Sequence, residues 1–172
     1  MNVLLRSLLA LALVALAWPE IGSYRGETLL ADAGARLSAA LQGATRGEEA
    51  VTSVQAAYTE VQRAADLLPA DQRPALSAGI ALLLLRRGAD ATAILDAAIA
   101  QGERPELTLN LGRARGIVGD ERGAQAAFLR TAWASPAAVA TLPAALRGPL
   151  LERVRSLEED LRAGRLQQAP PL

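Results

Sequence analysis

The chain has no cysteine, no histidine and no lysine among its 172 residues. Without cysteine there is no disulfide, no thiolate metal site and no lipid-modified cysteine anchor. Without histidine, imidazole ligands and histidine acid–base chemistry are excluded. Without lysine, so are a lysine Schiff base and a P-loop lysine. Aromatic residues make up only 3%, and valine and isoleucine never form the alternating run of a half-buried strand. No strongly basic block occurs. The 18 arginines balance 18 acidic residues to a net charge of zero, which leaves no electrostatic footprint for nucleic acid. The Ala/Arg-rich, lysine-free composition matches the codon usage of a GC-rich genome.

What is present is alanine and leucine, both strong helix formers. Apolar residues reach 51%, enough for a packed core, and the length suits one domain. An all-α fold is therefore expected.

The chain opens MNVLLRSLLALALVALAWPEIG. Arg6 precedes an apolar run from Ser7 to Trp18, and Pro19 follows it. Two readings of residues 1–19 stand. One is an export signal cleaved after Ala15-x-Ala17. The other is an uncleaved anchor, since Met1–Trp18 is about the minimum length of a spanning helix and Trp18 suits a membrane interface. Trp18 followed by Pro19 is a poor cleavage context, which tilts the reading to the anchor. The charge order places the N-terminus in the cytoplasm and the rest outside.

Proline and glycine punctuate the remainder, expected as a helical domain over 20–164 with a disordered tail at 165–172. Helices are expected at about 27–42, 48–68, 75–88, 89–102, 105–118, 120–134 and 149–163, with a proline-broken segment at 136–147. Gly88 reads as a helix C-cap, Asp71 as an N-cap, and Gly112-x-x-x-Gly116 as a site of close helix packing. The acidic run Glu158-Glu159-Asp160 reads as solvation of a capping helix.

The stretch LGRARGIVGDERGAQAAFLRTAWASP, 111–136, has a counterpart 31 residues upstream. Gly119 falls on Gly88, Ala124 on Ala93 and Pro136 on Pro105. A period of this size spanning two helices indicates stacked helical hairpins. On Leu111-Gly112, Gly119-Asp120, Ala124, Phe128 and Pro136, residues 105–136 resemble a tetratricopeptide repeat (TPR). Residues 74–105 resemble it more loosely, through Ala81, Gly88, Ala93, Ala100 and Pro105. With a third half-match through Ala57, Ala64 and Pro69, they cover about half the chain. Thr108, Arg115 and Thr131 stand where that family has Trp, Tyr and a small Ala.

The resemblance implies a short all-α TPR-like solenoid behind the signal-anchor helix. It implies a partner-binding groove lined by Leu82, Leu85 and Arg86 in one unit and by Leu109, Arg113 and Ile117 in the next. The two arginines would suit a carboxylate, and they are equally readable as solvated surface residues. No catalytic residue, metal ligand or cofactor is expected. The expected role is a non-enzymatic, membrane-tethered scaffold or assembly factor in the bacterial periplasm, with a protein or peptide partner in the cell envelope and no nucleic acid. The alternative is an obligate structural or accessory subunit of a bacterial membrane or periplasmic complex, such as a respiratory or secretion complex.

Overall fold

A computed structural model describes the backbone from Val3 to Leu172 and the side chains from Glu20 onward. The side chains of the expected signal anchor, residues 1–19, therefore lie outside the described residues. Among the described residues all regular structure is helical and there is no strand. The elements are α1 Val3–Leu41, α2 Gly47–Leu67, α3 Arg73–Leu84, α4 Gly88–Gln101, α5 Pro105–Ile117, α6 Glu121–Ala134, a 3-10 helix Pro136–Thr141, and α7 Ala144–Arg162. No described helix is long and apolar enough to cross a membrane. The chain divides into two compact units, Met1–Ser77 and Ala78–Leu172, with the boundary inside α3.

The first unit is an antiparallel pair of helices. Its apolar stripe on α2 is Val54, Ala57, Val61 and Ala64, at helical spacing, and α1 meets it with Ala33 and Leu37. Glu48 and Glu49 fall in the first turn of α2, where their charge favours the helix dipole. The far end of the pair is closed by an arginine. Arg73 takes Asp71 through Nε at 2.7 Å and reaches Glu27 of α1 through Nη1 at 3.2 Å. Asp71 also accepts from the Arg73 backbone N–H at 2.8 Å, so the expected capping aspartate does hold the start of α3. The helix expected from about Glu27 is the C-terminal part of α1.

The second unit stacks α3 to α7. Its helix pairs meet at glycine. A Cβ on Gly79 would lie 2.7 Å from Leu95 Cδ2, and one on Gly112 would lie 2.5 Å from Phe128 Cε1. Residues 79 and 112 are 33 positions apart, and so are 95 and 128. The same offset relates the turns. Arg86 (φ 59) and Gly119 (φ 83) both take the left-handed conformation that ends α3 and α5. Each is followed by the wide hydrogen bond of that cap: Arg87 N–H to Leu82 O at 2.8 Å, and Asp120 N–H to Arg115 O at 2.9 Å. Ala81 and Ala114 are both fully buried, as is Ala91, the counterpart of the nearly buried Ala124.

These contacts, turns and buried alanines recur at an offset of 33, against the 31 expected from glycine and proline identities. Gly88 is not a C-cap. It opens α4, buried, with Ile117 Cγ2 2.7 Å from where its Cβ would be. The first hairpin fills its left-handed position with Arg86, so matching glycine to glycine slips the alignment by two. Ala93, which that alignment set against Ala124, is exposed. The prolines keep the shorter spacing because they open the next elements after links of different length: Pro105 begins α5 and Pro136 begins the 3-10 helix.

Two further boundaries differ from expectation. Pro149 does not start the last helix, which begins at Ala144 and runs through it. The Leu146 and Arg147 N–H groups both bond to Pro143 O, so the first turn forms before Pro149 and the proline forfeits one backbone bond near the helix start. Gly116 has open space around it, so only Gly112 of the expected packing pair is used for close approach.

Thr108, Thr131 and Arg115 are each tied to a neighbouring helix. Thr108 and Thr131, both fully buried, share a hydrogen bond of 2.8 Å between their hydroxyls, and Thr131 donates to Ala127 O at 2.8 Å. Thr108 Oγ1 also donates to Pro105 O at 3.1 Å, so the hydroxyl pair sits between a backbone carbonyl of each helix. Arg115 of α5 reaches Asp96 of α4 at 3.2 Å and the carbonyl of Gly123 in α6 at 3.4 Å, bridging both hairpins.

Gly112→Ala should destabilise the protein by about 1–3 kcal/mol through overpacking against the Phe128 ring. Adding Phe128→Leu should recover part of that loss in a thermal melt. Arg86→Gly should raise stability by up to ~1 kcal/mol, because glycine adopts the left-handed turn without a Cβ clash. A melt in which R86G is the less stable protein would contradict the turn assignment.

Candidate partner-binding site

The structure places the residues expected to line a groove at very different depths. Leu82 is fully buried, and Leu109 lies in the core cluster with Phe128, Ala132, Val139 and Val154. Ile117 is half-buried against Gly88. Leu85 is half-buried, and Arg86 is exposed on the left-handed turn. Arg113 is half-buried and spends its donors inside the unit, with Nη1 on Asn110 Oδ1 at 3.1 Å and Nη2 on Thr141 Oγ1 at 2.7 Å. Burial pulls its guanidinium below the ordinary arginine value. Its role is to fasten the 3-10 helix to α5. A hairpin helix packed on both sides buries more than one stripe, and α5 buries an unbroken run from Leu107 to Gly112.

The second unit has an open concavity between α6 and α7. It is a cleft of about 560 Å³. Its α6 wall is Arg122, Gln125, Ala126, Phe128 and Leu129. Its α7 wall is Ala145, Leu146, Pro149, Leu150 and Arg153. Each wall repeats at three- and four-residue spacing, so each is one stripe of a helix. Leu129 and Leu150 pack against the core cluster from the cleft side, whereas Leu146 is 44% exposed. The floor is therefore apolar and wet. Among the described residues Arg122 and Arg153 make no ion pair and no side-chain hydrogen bond, so both guanidinium groups at the cleft are available. Such a cleft can take an apolar body carrying negative charge.

Of this cleft the sequence marked only that a helix lies at about 149–163. It did not show that α6 leaves one face of that helix partly uncovered.

On another side of α6, Arg130 forms a two-pronged pair with Glu103, at 2.5 and 2.6 Å. Its third arm donates to the Pro170 carbonyl at 2.8 Å. The segment expected to be a disordered tail thus comes back to α6, with Pro170 buried and Ala169 beside Trp133 and Pro105. The hydrogen bonds from Arg130 hold the Glu103 carboxyl below its usual range.

Among the described residues no group of three or more acidic side chains is arranged to hold a metal ion. No protein-family profile, curated protein or solved structure matches the chain. The tetratricopeptide resemblance accordingly stands on its own residues.

Because the Glu103 pKa is depressed in the fold, the Arg130 pair contributes fully above the ordinary carboxylate range and is lost as pH falls through the depressed value. Hydrogen exchange or limited proteolysis should find residues 165–172 protected at neutral pH and released in acid. Arg130→Ala should release them at neutral pH, with the α5–α6 hairpin still folded.

Proposed function

We propose that this protein is a non-catalytic, protein-binding scaffold of the bacterial cell envelope, built on TPR-like helical hairpins. In this reading residues 1–19 tether it to the inner membrane and the rest lies in the periplasm. The single observation that carries the reading is the α6–α7 cleft, an open apolar surface bordered by two arginines with no partner in their own chain. Folded domains seldom leave an apolar floor and desolvatable charges side by side unless something binds there. The position-for-position correspondence of α3–α4 with α5–α6 supports a stacked-hairpin scaffold, since such units present surfaces between successive helices. The apolar run before Pro19, with Arg6 on its N-terminal side, supports the tether and its orientation.

The first unit supports a second reading, an obligate subunit of a membrane complex. Ile21, Tyr24, Leu41 and Val51 are exposed on the α1–α2 pair, with Tyr24 76% accessible. Apolar side chains in such number on one hairpin suit a permanent interface.

Affinity capture of the full-length protein from its native membrane in mild detergent, with intact mass on the same sample, tests both. The scaffold reading expects a retained N-terminus and an envelope protein partner that dissociates without unfolding this chain. Fixed-stoichiometry partners, with a chain that aggregates once stripped of them, would favour the obligate subunit. Absence of any envelope partner would sink both.

A further inference from the structure

The preceding hairpin shows how an arginine between stacked helices is held. Arg115 of α5 takes Asp96 of α4 through Nη2 at 3.2 Å, and α6 adds the Gly123 carbonyl at 3.4 Å. At the α6–α7 cleft Leu129 lines the apolar floor, and Arg122 and Arg153 border it with no acceptor from either wall among the described residues.

We propose that the α6–α7 cleft is the seat of a helix donated by a partner protein, and that this helix is amphipathic, with an apolar face edged by carboxylates. The proposal rests on the scaffold reading above and names the chemistry of its partner. Three observations fix that chemistry. The walls are two helix stripes, and a third helix packs naturally into the groove between two. The floor of Leu129, Leu146, Pro149 and Leu150 calls for apolar anchors at helical spacing. The rim offers Arg122 and Arg153, both uncommitted, where Arg115 in the preceding hairpin is held by an aspartate. Carboxylates on the incoming helix would take the place that Asp96 takes for Arg115.

The test uses the full chain in phosphatidylcholine nanodiscs, with empty discs as the blank. Three labelled peptides are titrated by fluorescence anisotropy. All carry the same leucine stripe on a helix, edged by glutamate, by glutamine or by lysine. The glutamate peptide should bind roughly tenfold tighter than the glutamine peptide, two exposed ion pairs being worth about that factor. Arg122→Glu with Arg153→Glu changes only exposed charges, so the fold should survive, as circular dichroism would verify. That variant should prefer the lysine peptide. Equal affinity for the three peptides, no binding, or a preference that survives the charge reversal would each overturn the proposal. Capture from native membranes run in parallel separates the levels. A partner held equally by wild type and by the doubly reversed protein leaves the scaffold reading standing and removes this cleft from it. A wild-type protein that captures no envelope partner overturns the scaffold reading and the cleft with it.

Discussion

Where α5 lies against α6, the ring of Phe128 fills the space that a Cβ on residue 112 would need. The same exclusion recurs at Gly26 with Leu68 in the first unit, and at Gly79 with Leu95 and Gly88 with Ile117 in the second. A chain with 3% aromatic residues and an alanine-rich interior has little side-chain volume with which to fill gaps. Its helices must come close, and closeness is available only where one side has no Cβ or only a methyl group. The buried alanines, Ala57, Ala64, Ala81, Ala91, Ala114 and Ala127, follow from the same constraint.

Close approach leaves no room for water at polar groups, so the polar residues inside must satisfy one another. Thr108 and Thr131 do so across α5 and α6, with Thr131 passing its proton to Ala127 O. Arg113 and Arg115, on the same helix, serve opposite neighbours: the first fastens the 3-10 helix through Thr141, the second joins α4 and α6. The two arginines at the α6–α7 cleft have no such duty, and that contrast is what makes the cleft a surface for something else. Arginine here is thus either mortar or bait according to whether a neighbouring helix presents an acceptor.

The hairpins were legible in the sequence because glycine, proline and apolar spacing mark helix ends directly. The helices expected at 89–102, 105–118 and 120–134 lie within a residue or so of α4, α5 and α6. The register between hairpins was not legible. A left-handed turn is ordinarily announced by glycine, and Arg86 occupies one without that signal. The depth of the expected groove residues was not legible for a related reason: which face of a helix is free depends on how many neighbours it has, and Leu82 and Leu109 are both buried. The tail is a third case. A proline-rich end reads as disordered unless one knows that a guanidinium already held by Glu103 has a third donor to spare for Pro170.

By itself, then, the sequence determined that this protein is all-helical, that its helices pair as short hairpins, and that disulfides and thiol, imidazole and amine chemistry lie outside its reach. Those conclusions rest on local propensity and on which functional groups exist at all, and neither depends on long-range contacts. Only the tertiary structure decided that the glycine contacts of the two hairpins recur at 33 residues, that Arg113 is internal while Arg122 and Arg153 are free, and that an uncovered apolar surface lies between α6 and α7. Each of these is a matter of what a residue finds next to it once distant segments are packed, and one-dimensional spacing carries no record of that.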